Sequence, residues 1–534
     1  MTPARSLTGP MRLAILLLFV AAGLFVTWHH ELWRDEMQHW AIGLASESPA
    51  DIFHRLEYEN SPPLWHFILF GITRVTQNPF AMQVVHVLIA AITASIVLCW
   101  APFTRLQKIL FVFGYYSMFE FCVISRHYVL GPLFLFAFLA CFPWQGKRAY
   151  IGAAALFLVA QTSLFGLIIA LASTVAWLAR HFWPPDGAER TPGRHLLVPM
   201  SIIGVGGLWS FMQIRPPPET AMHAAWDFLN PWWALRATTL FWRAFVPLPA
   251  FRMDFWNSNV LDTFDVLYRS YDLPSLIAQG ALSITIVVGS VLMLRRRPDA
   301  LVLFLVMAGL CMAFFTFKKL GYIRHHAHLY LAWVGALWLL WAQRPAATNG
   351  DRRGNGPLRR LSPWVTVLFA VHVVTAAYAC ITDTLHPFSQ AEQTANWIRS
   401  EKMQDDVVIA PAVIAPHLER EVFLTEEERF GTYRVWREPY IFFDTQTVIG
   451  HAERLNSDHR TPVLLVIHRP LESEDIDEKL QRLAHFGPAI VSDEVFYVYR
   501  LREAVTTTPA GAPDDPSAAD APSARARPGS NSTS

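Results

Sequence analysis

Trp33-Arg34-Asp35-Glu36 sets two carboxylates beside a guanidinium, a few residues beyond the end of a long apolar run. A carboxylate in that setting can take the proton of a hydroxyl, and two adjacent ones should push one apparent pKa upward. One then serves as base while the other binds an acceptor or a metal. The competing reading is a solvated charge cluster at a membrane edge. The same segment continues through Glu57-Tyr58-Glu59-Asn60-Ser61-Pro62-Pro63-Leu64-Trp65, where a helix started by the prolines can fold back over Asp35 and Glu36.

Transfer of a group from a phosphate also needs cations to hold the departing oxyanion. Arg126, within Ser125-Arg126-His127-Tyr128, and Lys318, Lys319 and Arg324 break the charge rule set out below by lying on the outer side. Arginine clamps oxyanions bidentately and lysine acts as a point charge, so the set suits phosphate or pyrophosphate, with headgroup contact as the plainer use. Arg324-His325-His326-Ala327-His328 adds imidazoles. His325 and His328, at i and i+3, can face one divalent metal that Glu36 or Glu59 completes, although interfacial histidines more commonly serve as hydrogen-bond partners. No other cofactor is called for. Glu120 lies inside an apolar run, where an ionisable group is costly and usually faces a cavity.

The elements that must carry these residues are mostly membrane helices. Of 534 residues, 53% are hydrophobic and 13% aromatic, with a formal net charge of +1, a balance that suits a bilayer and excludes nucleic acid as a partner. Five cysteines in or beside apolar runs, without a CxxC pair, read as packed small hydrophobes. In residues 11–28 a hydrophobic stretch follows Arg5 and Arg12 but lacks a small-x-small cleavage site, so the range reads as a retained first span. Further candidates are 81–100, 109–124, 128–142, 151–179, 196–212, 275–294, 300–317, 328–341 and 363–381. Residues 151–179 would make a helix of about 43 Å, longer than a hydrocarbon core of roughly 30 Å, and Gln161-Thr162-Ser163 interrupts them. Two helices there place Arg105 and Lys108, Lys147 and Arg148, Arg180, Arg190 and Arg194, Arg295-Arg296-Arg297 and the 352–360 cluster on one side. About eleven spans follow, with the N-terminus inside and the C-terminus outside.

Three outer segments result, at 29–80, 213–274 and 318–326. The second carries Trp232-Trp233 and suits the headgroup level, since tryptophan favours that depth. Residues 1–382 therefore form a transmembrane module. Residues 383–502 read as a small α/β domain outside, with helices at 389–402 and 473–486 and strands at 407–410, 463–468 and 495–501. From 503 the Ala, Pro, Ser and Thr composition reads as a disordered tail.

At these residues the chain resembles the GT-C class of membrane glycosyltransferases, the superfamily of protein O-mannosyltransferases and lipid A aminoarabinose transferases. The likeness rests on the acidic pair after the first span, the Pro-Pro-Leu entry to the surface helix, and an Arg-x-Tyr element matched by Arg126-His127-Tyr128. It extends to a group of bacterial proteins sharing Tyr-Glu-x-x-Pro-x-Leu-Trp, here Tyr58 to Trp65, and an Arg-His-His segment before a late helix. The resemblance implies a polytopic inner-membrane enzyme that moves sugar, with inversion, from a polyprenyl-phosphate donor to a lipid, glycan or protein acceptor in the periplasm. It implies Asp35 as the catalytic aspartate, Glu36 as its acidic neighbour and Glu59 as the acid before the surface helix. Asn60-Ser61-Pro62 departs from the Lys-Pro of the aminoarabinose enzymes, and the mannosyltransferases' Asp-x-His-Pro-Pro is missing, which leaves sugar and acceptor open. Two rivals stand beside this reading: a transporter or flippase of lipid-linked sugars, and a non-catalytic envelope scaffold.

Overall fold

The computed structural model describes residues 7–184, 192–220, 231–262, 273–342, 357–403, 405–437, 445–471 and 479–502. Arg190, Arg352, parts of the second outer segment and the tail from 503 lie outside the described residues. Met1–Leu501 form one compact unit.

Helix α1 (Gly9–His29) begins at Thr8, whose hydroxyl accepts the Met11 N–H. It is followed by α2 (Arg34–Ala45), α3 (Pro49–Arg55), α4 (Leu64–Thr73), α5 (Phe80–Trp100), α6 (Arg105–Val112) and α7 (Leu130–Ala140). Then come α8 (Lys147–Ala160), α9 (Leu164–Phe182), α10 (Arg194–Ile214), α11 (Pro231–Ala237), α12 (Leu240–Phe245), α13 (Leu273–Leu294), α14 (Pro298–Phe317), α15 (Ile323–Ala342) and α16 (Pro357–Leu385). Among the described residues seven helices are long and apolar enough to cross a membrane: α1, α5, α9, α10, α13, α14 and the Ser362–Leu385 part of α16.

The interruption within 151–179 is real. Ser163 caps α9 by accepting the Gly166 N–H at 3.0 Å, and Gln161 donates to the Gly206 carbonyl of α10 at 2.8 Å, so polar residues end one helix and start the next. The expected continuous span at 109–124 is broken instead. Helix α6 stops at Val112, a π turn runs over Tyr116–Glu120, and a 3-10 turn at His127–Val129 leads into α7. Gly114 marks the break, where a Cβ would come within 3.1 Å of the His372 Cβ on α16. Helix α15 is buried on all sides from Ile323 to Trp341, which makes it the central strut of the bundle. The surface helix expected after Pro62-Pro63 is α4, with Pro63 as its N-cap.

After α16 the chain forms α17 (Ala391–Ser400), β1 (Val407–Ile409), α18 (Ile414–Leu418), β2 (Val422–Leu424), β3 (Arg429–Gly431), α19 (Thr445–His459), β4 (Val463–Ile467), β5 (Leu480–Phe486) and β6 (Phe496–Leu501). The sheet order is β3-β2-β1-β4-β6-β5, with β1 parallel to β2 and β4 and the other pairings antiparallel. The helix expected over 473–486 is corrected here: 480–486 is an edge strand, and 472–478 fall outside the described residues. Leu480, Leu483 and Ala484 imitate a helical stripe because the register shifts between Arg482 and Ala484, and a bulge resets strand alternation by one residue.

Candidate active site

Asp35 owes its place to Glu36. Trp33 is extended, and Glu36, third residue of α2, accepts the Trp33 backbone N–H at 3.3 Å, satisfying a donor that the helix leaves free. The other Glu36 oxygen accepts the Ser125 N–H, and Oε2 also accepts from His30 Nε2 at 3.1 Å. His30 in turn donates Nδ1–H to Asp383 Oδ2 at 2.9 Å. Glu36 is fully buried, so the residue expected to share catalysis spends both oxygens on the frame that joins the end of α1, α2, α16 and the 125–126 segment.

Asp35, one residue earlier, faces the opposite way. Its Oδ2 accepts from Arg126 Nη1 and from Arg324 Nη2, the latter at 3.0 Å. Its side chain keeps 33% exposure, whereas those of Arg126 and Arg324 keep 10% and 5%, so the carboxylate is the accessible member of the trio. Burial pushes the Asp35 pKa up, but Arg126, Arg324 and Arg34 outweigh it and hold the carboxyl well below the usual range. The upward push expected from Glu36 loses to these three guanidinium charges.

The two arginines are held without exhausting their donors. Arg324 lies over the rings of Trp33 at 5.0 Å, Trp256 at 5.2 Å and Tyr322 at 4.9 Å, and Arg126 over Trp33 at 6.0 Å and Tyr128 at 5.5 Å. Arg126 Nε and Arg324 Nε and Nη1 are buried with no hydrogen-bond partner. Buried guanidinium nitrogens without acceptors are costly, and an oxyanion arriving here would relieve that cost.

The remaining expected residues fall around this centre. Glu59 accepts from Gln38 Nε2 at 2.7 Å, and burial raises its pKa to about 7. Tyr128 and His325 share a hydrogen bond of 2.9 Å between hydroxyl and Nε2. Lys319 is exposed and sits 6.0 Å from the centre of the Tyr322 ring, and Lys318 is half-buried at the end of α14. The structure thus brings Arg126 and Arg324 onto Asp35, with neither lysine among the ion pairs of that carboxylate.

His325 has neither ring nitrogen free for a metal. His325 Nδ1 accepts the Tyr322 N–H at 2.8 Å and its Nε2 is engaged by Tyr128, while His328 Nδ1 donates to the His325 carbonyl at 2.9 Å. Among the described residues no group of three or more His, Cys, Asp or Glu is placed to hold an ion.

Several contributors escaped the sequence. His39, one turn beyond Asp35 on α2, lies 2.8 Å from His66 and 3.4 Å from His127 by ring nitrogens, a buried chain of three imidazoles. The i, i+4 spacing of Asp35 and His39 was the available signal, hidden while α2 passed for loop. Gln38 grips the Arg434 backbone, donating to its carbonyl at 2.7 Å and accepting its N–H at 3.0 Å. Arg34 pairs with Asp493 at 2.7 Å and Glu494 at 3.6 Å, so the sheet region reaches the residue beside Asp35.

No protein-family model and no curated protein matches the sequence. Among solved structures, the chain is similar to ArnT from Cupriavidus metallidurans bound to undecaprenyl phosphate, at 13% identity and a TM-score of 0.46, covering 92% of this chain and 97% of that one. It is also similar to the same protein in the apo state, at 13% identity and a TM-score of 0.49, covering 91% and 98% of the two chains.

Proposed function

We propose that this chain is an inverting membrane glycosyltransferase that moves sugar from a polyprenyl-phosphate carrier to a lipid, glycan or protein acceptor on the periplasmic side of a bacterial inner membrane. One observation supports it above the others: the accessible Asp35 carboxylate is gripped by two buried arginines, of which Arg126 Nε and Arg324 Nε and Nη1 have no acceptor. Such a site is built to exchange one anion for another.

In the resting state Asp35 is a weak base. A donor phosphate that takes over Arg126 and Arg324 weakens their hold on Asp35 and restores its basicity. Asp35 then removes the acceptor's hydroxyl proton, and the oxygen attacks the anomeric carbon from the face opposite the phosphate. The bond between carbon and phosphate oxygen breaks, its electron pair leaves with the carrier, and the two guanidinium groups take up the charge. Single displacement inverts the anomeric centre. The pair Asp493 and Glu494, tied to Arg34, gives the sheet region a route to sense the acceptor beside the base.

Mass spectrometry of envelope lipids and glycans from cells lacking the chain tests this reading and names the sugar. A glycan lost in the deletion and restored by the wild-type chain supports it. An unchanged envelope, with no release of polyprenyl phosphate by the purified protein, overturns it.

A further inference from the structure

Glu120 is a buried ionisable residue of the bundle that the proposed chemistry leaves unused. It ends the π turn Tyr116–Glu120, a local break of the kind that recurs at functional positions. Its Oε1 accepts two hydrogen bonds, from the Tyr115 hydroxyl at 2.6 Å and from the Trp256 indole N–H at 2.9 Å, while Oε2 is buried without a partner. Trp256 comes from the segment between α12 and α13, more than a hundred residues away, and its ring is one of the faces against which Arg324 lies, at 5.2 Å.

We infer that Glu120 is a positioning residue for the phosphate clamp, acting through Trp256 on Arg324. The argument rests on the proposed role of Arg324. A guanidinium anchored by hydrogen bonds would have fewer donors left for a ligand, whereas one anchored by ring faces keeps them. The indole must then be fixed in angle and depth. Its N–H donates to Glu120, which pins one edge of the ring, while Trp33 at 4.9 Å and Phe388 at 5.2 Å close the rest. The hydrogen bond also places a carboxyl group at the positive edge of the indole, which strengthens the negative ring face turned to Arg324. Tyr115 holds the same oxygen from the chain next to the π turn and so sets where Glu120 points.

The test is the affinity of the purified full-length chain for farnesyl phosphate, a carrier phosphate without sugar, measured by calorimetry in detergent. Arg324→Ala is the reference and weakens binding at least tenfold if the clamp is real. Glu120→Leu weakens it about tenfold, Trp256→Phe, which keeps a ring but loses the N–H, by about threefold, and Glu120→Gln, which keeps an acceptor for both donors, restores most of it. Farnesol, lacking phosphate, shows no difference among the variants. If Arg324→Ala binds poorly while Glu120→Leu and Trp256→Phe bind like wild type, the positioning role is overturned and the clamp stands. If Arg324→Ala binds like wild type, the clamp itself falls, and the positioning role with it. Should Glu120→Leu fail to fold, Trp256→Phe against Glu120→Gln decides alone: equal affinities overturn the inference.

Discussion

Glu36 accepts the backbone N–H of Ser125, so the residue after Asp35 holds the residue before Arg126. The base candidate and its principal cation are therefore set by one shared buried carboxylate. Glu36→Ala leaves His30 Nε2 and the Ser125 and Trp33 N–H groups without their acceptor. Removing one member of a buried ion pair costs about 3 kcal/mol, and the variant should melt correspondingly earlier in detergent. Glu36→Gln, which can still accept at one oxygen, should lose less.

His30 gives that frame a pH signature. Burial lowers its pKa, but Asp383 and Glu36 outweigh burial and raise it to about 10 from an ordinary 6.5. A raised folded pKa means the folded state holds the proton more tightly than the unfolded chain. The stabilisation is complete below about pH 6.5 and is lost as pH rises through about 10. Melting temperature should therefore fall between these values, and His30→Gln should flatten that slope.

Glu59 acts with the same sign over a lower range. Burial raises its pKa to about 7 from 4.5, so its contribution is complete below the unfolded value and declines as pH climbs to about 7. Glu59→Gln should gain stability relative to wild type at pH 8 and show no such gain at pH 4. Equal differences at both pH values would contradict the assignment.

How far the sequence could go follows from what each residue depends on. Asp35, Arg126 and Arg324 were legible because each is a charge in an apolar context, and charge at a membrane edge needs a partner or a task. Their convergence on one oxygen was not, since it depends on the break at Gly114 and on the burial of α15, which no local pattern encodes. The framework contacts of Glu36 were hidden for a similar reason. Adjacent carboxylates look equivalent in a sequence, but on a helix they point about 100° apart, and here one meets the framework and the other the opening. Strand β5 passed for a helix because its bulge copies helical spacing.

Arg126 and Arg324 should tolerate lysine poorly. Lysine keeps the charge but loses the planar fork and the ring stacking seen with Trp33, Tyr128, Trp256 and Tyr322. Either Arg→Lys change should weaken donor binding about tenfold, and Arg→Ala more, read as a rise in KM at the donor.

Gln38 ties the segment around Arg434 to α2 through both backbone groups of one residue. Gln38→Ala should loosen that segment, seen as faster hydrogen exchange at residues 432–436, while α15 stays protected. Unchanged exchange would show that other contacts hold it.

Turnover of a polyprenyl-phosphate sugar by purified Asp35→Asn bears most directly on the central claim. The variant should release polyprenyl phosphate about a thousandfold more slowly than wild type. It should nevertheless bind the carrier phosphate at least as tightly, because Arg126 and Arg324 no longer share their charge with Asp35. Full turnover by Asp35→Asn would contradict the assignment of the base, and with it the site built around that carboxylate.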